Sequence, residues 1–254
     1  MTDAVLTEIT DGVMTITLNR PEAKNAVNLA VAEGIAAAMD VLDGTDDVRV
    51  GILTGANETF CSGMDLKAFV SGEVPFVAGR GFGGLVEAPP KKPLIAAVEG
   101  YALAGGFELA LCCDLVVAAS NVRFGIPEVK RGLAAAAGGL MRLPRQLPYR
   151  LAMELALTGE FLEAERALSL GLINRLTEAG AALDTAHQLA QAIAANGPLA
   201  VRQSKQVVVQ SQDWQTGEMF AKQQELLGAI FTSEDAIEGS RAFAEKRAPN
   251  WKGR

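Results

Sequence analysis

The chain has 254 residues, 49% hydrophobic and 21% charged, an ordinary globular composition with material for one large domain or a domain plus an appendage. A formal net charge of -7 and a pI of about 4.9 argue against nucleic acid as the main partner, because phosphate binding needs a basic face. The three cysteines, Cys61, Cys112 and Cys113, form neither a disulfide framework nor a CxxC pair; with no basic-then-apolar leader at the start, they point to reduced thiols in a cytoplasmic protein. No apolar run reaches membrane-spanning length, since 102–119 is broken by Gly105, Gly106, Glu108 and Asp114.

Taken in chain order, 5–10 and 13–18 are rich in β-branched residues and flank Asp11-Gly12, which predicts a hairpin. Arg20-Pro21 ends the second strand. A helix is predicted over 29–42 and a buried strand over 48–53. Residues 71–90 hold five glycines and three prolines, and read equally as a surface loop or as a mobile wall of a pocket. A buried strand over 94–98 leads through Gly100 into a helix over 105–113, then short strands over 115–118 and 122–124. From Ala134 the pattern is helical, over 147–157, 163–168 and 181–195, with Gly159, Gly171 and Gly180 as stops. Gly197-Pro198 precedes a long helical stretch, 199–230, and a last helix spans 236–246. Strands thus concentrate before about 125 and helices after about 133, a β-rich α/β core (1–195) followed by a helical region (196–254) for oligomerisation and site cover.

Two glutamates stand out in this frame. Glu108 follows Ala104-Gly105-Gly106-Phe107, and Glu128 ends Phe124-Gly125-Ile126-Pro127-Glu128. Carboxylates in apolar neighbourhoods cost free energy, so a pair of them points to acid/base chemistry. The glycines at 105 and 106 open a helix, where free N–H groups and the positive dipole end gather and a ligand can approach the main chain. Glu108, three residues past Gly105, shares its helix face. Phe60-Cys61-Ser62-Gly63-Met64-Asp65-Leu66-Lys67 also follows a strand and turns into a short helix, offering a second main-chain donor; two such donors aimed at one point make an oxyanion hole. His187, the only histidine, lies far from these motifs in a helical pattern and reads as a surface residue, so a Ser-His-Asp hydrolase is disfavoured. Gly79-Arg80-Gly81-Phe82-Gly83-Gly84 has the wrong spacing, and no preceding strand, for a dinucleotide loop.

Asn19-Arg20-Pro21-Glu22-Ala23-Lys24-Asn25-Ala26, the 60–67 segment, Ala104–Glu108, Phe124–Glu128 and the final Phe243-Ala244-Glu245-Lys246-Arg247 together resemble the crotonase superfamily, enoyl-CoA hydratases in particular, over nearly the whole chain. The resemblance implies a crotonase-like α/β fold of repeated β-β-α units with a C-terminal helical region, assembled as a homotrimer or as a hexamer of paired trimers. It implies that the N–H groups of Met64 and Gly105 hold the thioester oxygen of an acyl-CoA, that Glu108 activates water and that Glu128 exchanges a proton with Cα. Lys24, Ala26, Asp65, Leu66 and Lys67 would line the CoA site, with Phe243 and Lys246 near the nucleotide, in the same or a neighbouring subunit. No metal and no separate cofactor is implied, coenzyme A being part of the substrate. Hydration of a trans-2-enoyl-CoA is the expected reaction, with an isomerase, a dehydratase of a branched, steroid-derived or carnitine-type acyl-CoA, or a non-catalytic acyl-CoA binder as alternatives. Two departures bear on the substrate: Met64 replaces a smaller residue and can narrow the acyl pocket, and Ala134-Ala135-Ala136-Ala137-Gly138-Gly139 stands where many hydratases carry a Pro-Gly-containing version.

Overall fold

A computed structural model describes residues 3–254. The hairpin forms as expected: β1 (Val5–Thr10) and β2 (Val13–Leu18) pair antiparallel across Asp11 and Gly12, both at positive φ, as a two-residue turn between twisted strands requires. The chain then passes through α1 (Leu29–Gly44), β3 (Val50–Gly55), α2 (Leu66–Val70), the short strands β4 (Phe76–Val77) and β5 (Gly81–Phe82), β6 (Leu94–Val98), β7 (Tyr101–Leu103), α3 (Gly105–Cys112), β8 (Leu115–Ala119) and β9 (Arg123–Gly125). There follow α4 (Gly139–Gln146), α5 (Tyr149–Thr158), β10 (Leu162–Glu163), α6 (Ala164–Ser169), β11 (Arg175–Thr177), α7 (Ala182–Ala194), α8 (Pro198–Gln210), α9 (Met219–Leu227) and α10 (Glu234–Glu245).

Six strands form one sheet in the order β1-β2-β3-β6-β8-β11, parallel beyond the hairpin, and a second sheet runs β10-β9-β7. Alternation along the strands separates two apolar faces. Val50, Ile52, Ile95, Ala97 and Val117 lie under α7, whose Ala182, Ala186 and Ala190 are fully buried against them. Leu53, Ala96, Val98 and Ala118 face the larger core with α1 and α3. Small residues four apart on α7 let it sit close to the sheet.

Three expectations need amending. Strands concentrate before 125 as expected, but nothing in the sequence marks the two that follow: β11 completes the large sheet beside β8, and the three-residue Arg-Leu-Thr segment is too short to show a period. The stretch 199–230 is not one helix; it breaks between α8 and α9, where Trp214 is extended and Gly217 follows. His187 is partly buried rather than on the surface, its Nε2 3.2 Å from Thr15 Oγ1 of β2, on the sheet face away from α3. The 71–90 segment is no plain surface loop, since Phe82, Leu85 and Val86 are buried in the main core.

The helical region is pinned to the core by Lys205 of α8. Its ammonium donates to Pro90 O at 2.8 Å, Lys92 O at 2.9 Å and Asp114 Oδ2 at 2.6 Å, and Asp114 also accepts from Leu94 N. Lys205→Met should leave Asp114 with only the Leu94 N–H, and two carbonyls without their donor, and cost about 2 kcal/mol, less than a fully buried pair because both side chains keep some solvent contact. The urea midpoint measures it; an unchanged midpoint would show the pin to be redundant. Among the described residues no helix is long and apolar enough to cross a membrane.

Candidate active site

Both glutamates are delivered by paired strands. β7 and β9 run parallel, with Leu103 opposite Gly125. At the end of β7 the chain turns into α3, and at the end of β9 it turns through Ile126 into a 3₁₀ turn, Pro127–Arg131. Neighbouring parallel strands therefore release Glu108 and Glu128 at one end of one sheet. The turn into α3 is made by Ala104 at φ 52, ψ -129, a sparsely populated conformation for a residue with a Cβ. Alanine offers no capping side chain, so the first N–H groups of α3 are not taken up locally. Among the described residues the Gly105 N–H has no protein acceptor.

The second donor is prepared by Val27. Its N–H donates to Gly63 O at 2.8 Å, and its carbonyl accepts from Asp65 N at 2.9 Å. The peptide N–H between them, that of Met64, has no protein acceptor among the described residues. Gly63 brings the two donor segments together: a Cβ there would lie 2.8 Å from Ala104 Cβ and 3.3 Å from Gly105 N. Only a residue without a side chain permits this approach. Phe82, from the 71–90 segment, lies against Gly105 and stacks edge-on with Phe76, ring centres 5.8 Å apart. That segment is thus a wall of the site.

Glu108 is 3% exposed, and its Oε1 accepts from Gly139 N at 2.8 Å. Burial pushes its carboxyl up to about 7; the Glu128 charge adds to the rise, while the Gly139 and Ala137 N–H groups and the Arg142 guanidinium oppose it. Glu128 is raised too, chiefly by burial and against its own N–H and Arg131. Its Oε2 is buried with no hydrogen-bond partner, a costly condition for a carboxylate and an informative one. Two carboxyls that burial holds above the ordinary carboxylate range, beside two free main-chain donors, can move protons at a carbon adjacent to a stabilised oxyanion.

The remaining residues expected at the site fall into two groups. Arg20 joins the first group: its Nη1 donates to Ala26 O at 2.7 Å, and its Nη2 pairs with Asp65 Oδ2 at 3.0 Å. Asp65 also caps α2 through Lys67 N and Ala68 N. Lys24 is exposed, with its Nζ 5.7 Å from the Tyr101 ring centre, and its carbonyl accepts from Ser62 N. Lys24, Ala26, Met64, Asp65, Leu66 and Lys67 therefore share one edge beside Gly105. Phe243, 88% exposed, and Lys246 lie at the end of α10; among the described residues no hydrogen bond, ion pair or ring contact ties them to that edge. Sequence reasoning missed Arg20, fully buried Asn25, which donates to Ala56 O and Thr59 O, and Gly139. Gly139 sits in the stretch flagged only as a departure, where the pair Gly138-Gly139 was the available signal.

The family model described as enoyl-CoA hydratase/isomerase matches residues 8–254. The chain is 59% identical to the solved enoyl-CoA hydratase EchA1 from Mycobacterium marinum, with a TM-score of 0.98 and 100% of both chains covered. It is 43% identical to a solved carnitinyl-CoA hydratase from Mycobacterium avium, with a TM-score of 0.80 and again 100% of both chains covered. Among curated sequences it is 40% identical over 251 residues to the carnitinyl-CoA dehydratase of Proteus mirabilis, covering 95% of each.

Proposed function

The chain belongs to the enoyl-CoA hydratase/isomerase family and has its crotonase fold, and on that premise we propose that it adds water reversibly across the 2,3 double bond of a trans-2-enoyl-CoA. The observation that carries this reading is a pair of raised carboxyls, Glu108 buried and Glu128 half-buried, the first on the helix that the unpartnered Gly105 N–H opens and beside the segment of the unpartnered Met64 N–H. In the proposed sequence Glu108 takes a proton from water as its oxygen bonds to Cβ. The double-bond electrons shift toward the thioester oxygen, which the two N–H groups stabilise by about 3 kcal/mol each. Glu128 then gives its proton to Cα, and a proton passed from Glu108 to Glu128 restores the starting state. Nothing is oxidised, so the reaction calls for no electron acceptor, and coenzyme A stays on the product. Lys24 offers a point charge at the edge where a CoA phosphate would lie.

A second reading concerns the acyl group alone. Proteins named carnitinyl-CoA dehydratase or hydratase are among the relatives, and a carnitinyl group carries a quaternary ammonium. The bond chemistry is the same, and the assay separates the two. Loss of the conjugated enoyl-thioester absorbance would be followed with crotonyl-CoA, a longer enoyl-CoA and a trimethylammonium-bearing enoyl-CoA. Turnover of the last alone would select the carnitine-type substrate, and no turnover of any would overturn the proposal. Exposed Val208, Phe220 and Phe231 on the C-terminal helices support the expectation that this region mediates self-association.

The pH dependence follows from the direction of the Glu108 shift. Hydration needs Glu108 ionised, so its kcat/KM should climb with pH below about 7, and it should fall again at the higher pH where Glu128 loses the proton it must donate. Dehydration of the 3-hydroxyacyl-CoA uses the same singly protonated pair of carboxyls, and because the reaction exchanges no net proton its kcat/KM should follow the same profile. A hydration profile flat from pH 5 to 8 would remove Glu108 from the base role.

A further inference from the structure

Arg142 lies on α4, three residues after Gly139, whose N–H holds Glu108. Its own N–H donates to Gly138 O at 2.8 Å, and its Nη2 donates to Val86 O at 2.6 Å. The guanidinium lies over Gly138: a Cβ at 138 would sit 2.1 Å from Nη1, and Gly138 itself is at φ 103. Val86 belongs to the same buried wall as Phe82, which rests on Gly105. One side chain thus contacts both the turn that holds Glu108 and the wall behind the Gly105 donor. The charged and titratable groups facing Glu108 are Glu128, Arg142 and, on its own helix, the Cys112 thiol. Burial pushes that thiol up to about 12, so it is neutral at working pH. Arg142 is the cation of the set.

We propose that Arg142 is a positioning residue: its guanidinium locks the start of α4 to the 82–86 wall and, through its charge, keeps Glu108 available as the ionised, water-activating base. The catalytic part of this statement rests on the proposed hydration, whereas the electrostatic part can be read without turnover. The Arg142 charge adds to the Gly139 and Ala137 N–H groups, the larger of the effects that keep so deeply buried a carboxyl ionisable near neutrality.

The test uses protein carrying side-chain ¹³C-labelled glutamate, with the Glu108 carboxyl signal assigned as the one missing from Glu108→Gln. Titration of Arg142→Met should place the Glu108 midpoint higher than in wild type by about one pH unit, the low end of the effect of removing one nearby opposite charge. Arg142→Lys keeps the charge and should titrate close to wild type. In turnover, the rising limb of the hydration profile should move with the titration in Arg142→Met, with kcat at pH 7 falling several-fold and KM changing less than twofold. A merely structural arginine would lower thermal stability without moving the midpoint. An unmoved midpoint in folded Arg142→Met overturns the proposal, as does an Arg142→Lys midpoint displaced as far as that of Arg142→Met. If Arg142→Met does not fold, Arg142→Gln replaces it. Wild-type protein that hydrates no enoyl-CoA would overturn the proposed function, and the titration would still decide whether Arg142 sets the ionisation of Glu108.

Discussion

Glu108→Gln is expected to lower the hydration kcat by about 10²–10⁴-fold while making the protein more stable above neutral pH. The amide keeps an oxygen for the Gly139 N–H that now meets Oε1 at 2.8 Å, so the geometry of α3 and α4 should persist. What disappears is the base. The stability gain follows from linkage. The carboxyl is raised from 4.5 to about 7 by folding, so between those values the native state binds more protons than the unfolded chain, and native stability falls as pH rises. The loss is complete above about 7 and amounts to about 3 kcal/mol. The glutamine variant does not titrate. Its melting temperature should therefore pull ahead of wild type between pH 5 and pH 8. Retained turnover would sink the assignment of the base, and a melting difference that ignores pH would show that Glu108 is not held protonated by burial.

Gly106→Ala should be the most damaging single methyl group in the site. A Cβ at 106 would lie 2.3 Å from Cys61 O and 2.7 Å from Cys61 Cβ. Neither neighbour can retreat, because Cys61 is bonded on both sides to β7: its N–H to Tyr101 O at 2.9 Å, its carbonyl to Leu103 N at 3.0 Å. The start of α3 must shift instead, and the Gly105 and Met64 donors would separate. A cost near 3 kcal/mol in folding and about 10²-fold in kcat is expected, read from a urea titration and steady-state kinetics. Gly44→Ala, where a Cβ meets nothing within 4 Å at the end of α1, serves as the control and should be neutral or slightly stabilising. A Gly106→Ala protein with wild-type midpoint and turnover would mean that the two donor segments need not touch.

Features written in local chemistry were legible beforehand. The Asp11-Gly12 turn, the glycine-opened helix at 105 and the two glutamates all depend on residues next to one another, and each stands where its motif put it. Features created by distant pairing were not. β7 is three residues long and is recognisable as a strand only beside β9 and the Cys61 segment. Arg20 gives no local sign that it will join Ala26 to Asp65, nor does Gly139 that it will reach Glu108 across 31 positions of sequence. The 71–90 segment was ambiguous because glycine and proline report backbone freedom and not burial; its aromatic residues, placed by the fold, settle it as a wall.

The position of α7 has a consequence for how the protein is made. The apolar underside of the large sheet is built from strands finished by residue 119, yet its cover ends at Ala190, and β11, which closes the sheet edge, ends at Thr177. During synthesis some 70 further residues must leave the ribosome before that surface is shielded, roughly 4–14 seconds at ordinary elongation rates. For that interval the nascent chain offers a greasy plane and an open parallel edge to anything nearby. Chaperone demand, and the fate of prematurely terminated chains, should therefore change sharply once Ala190 has emerged, well before the last helices exist.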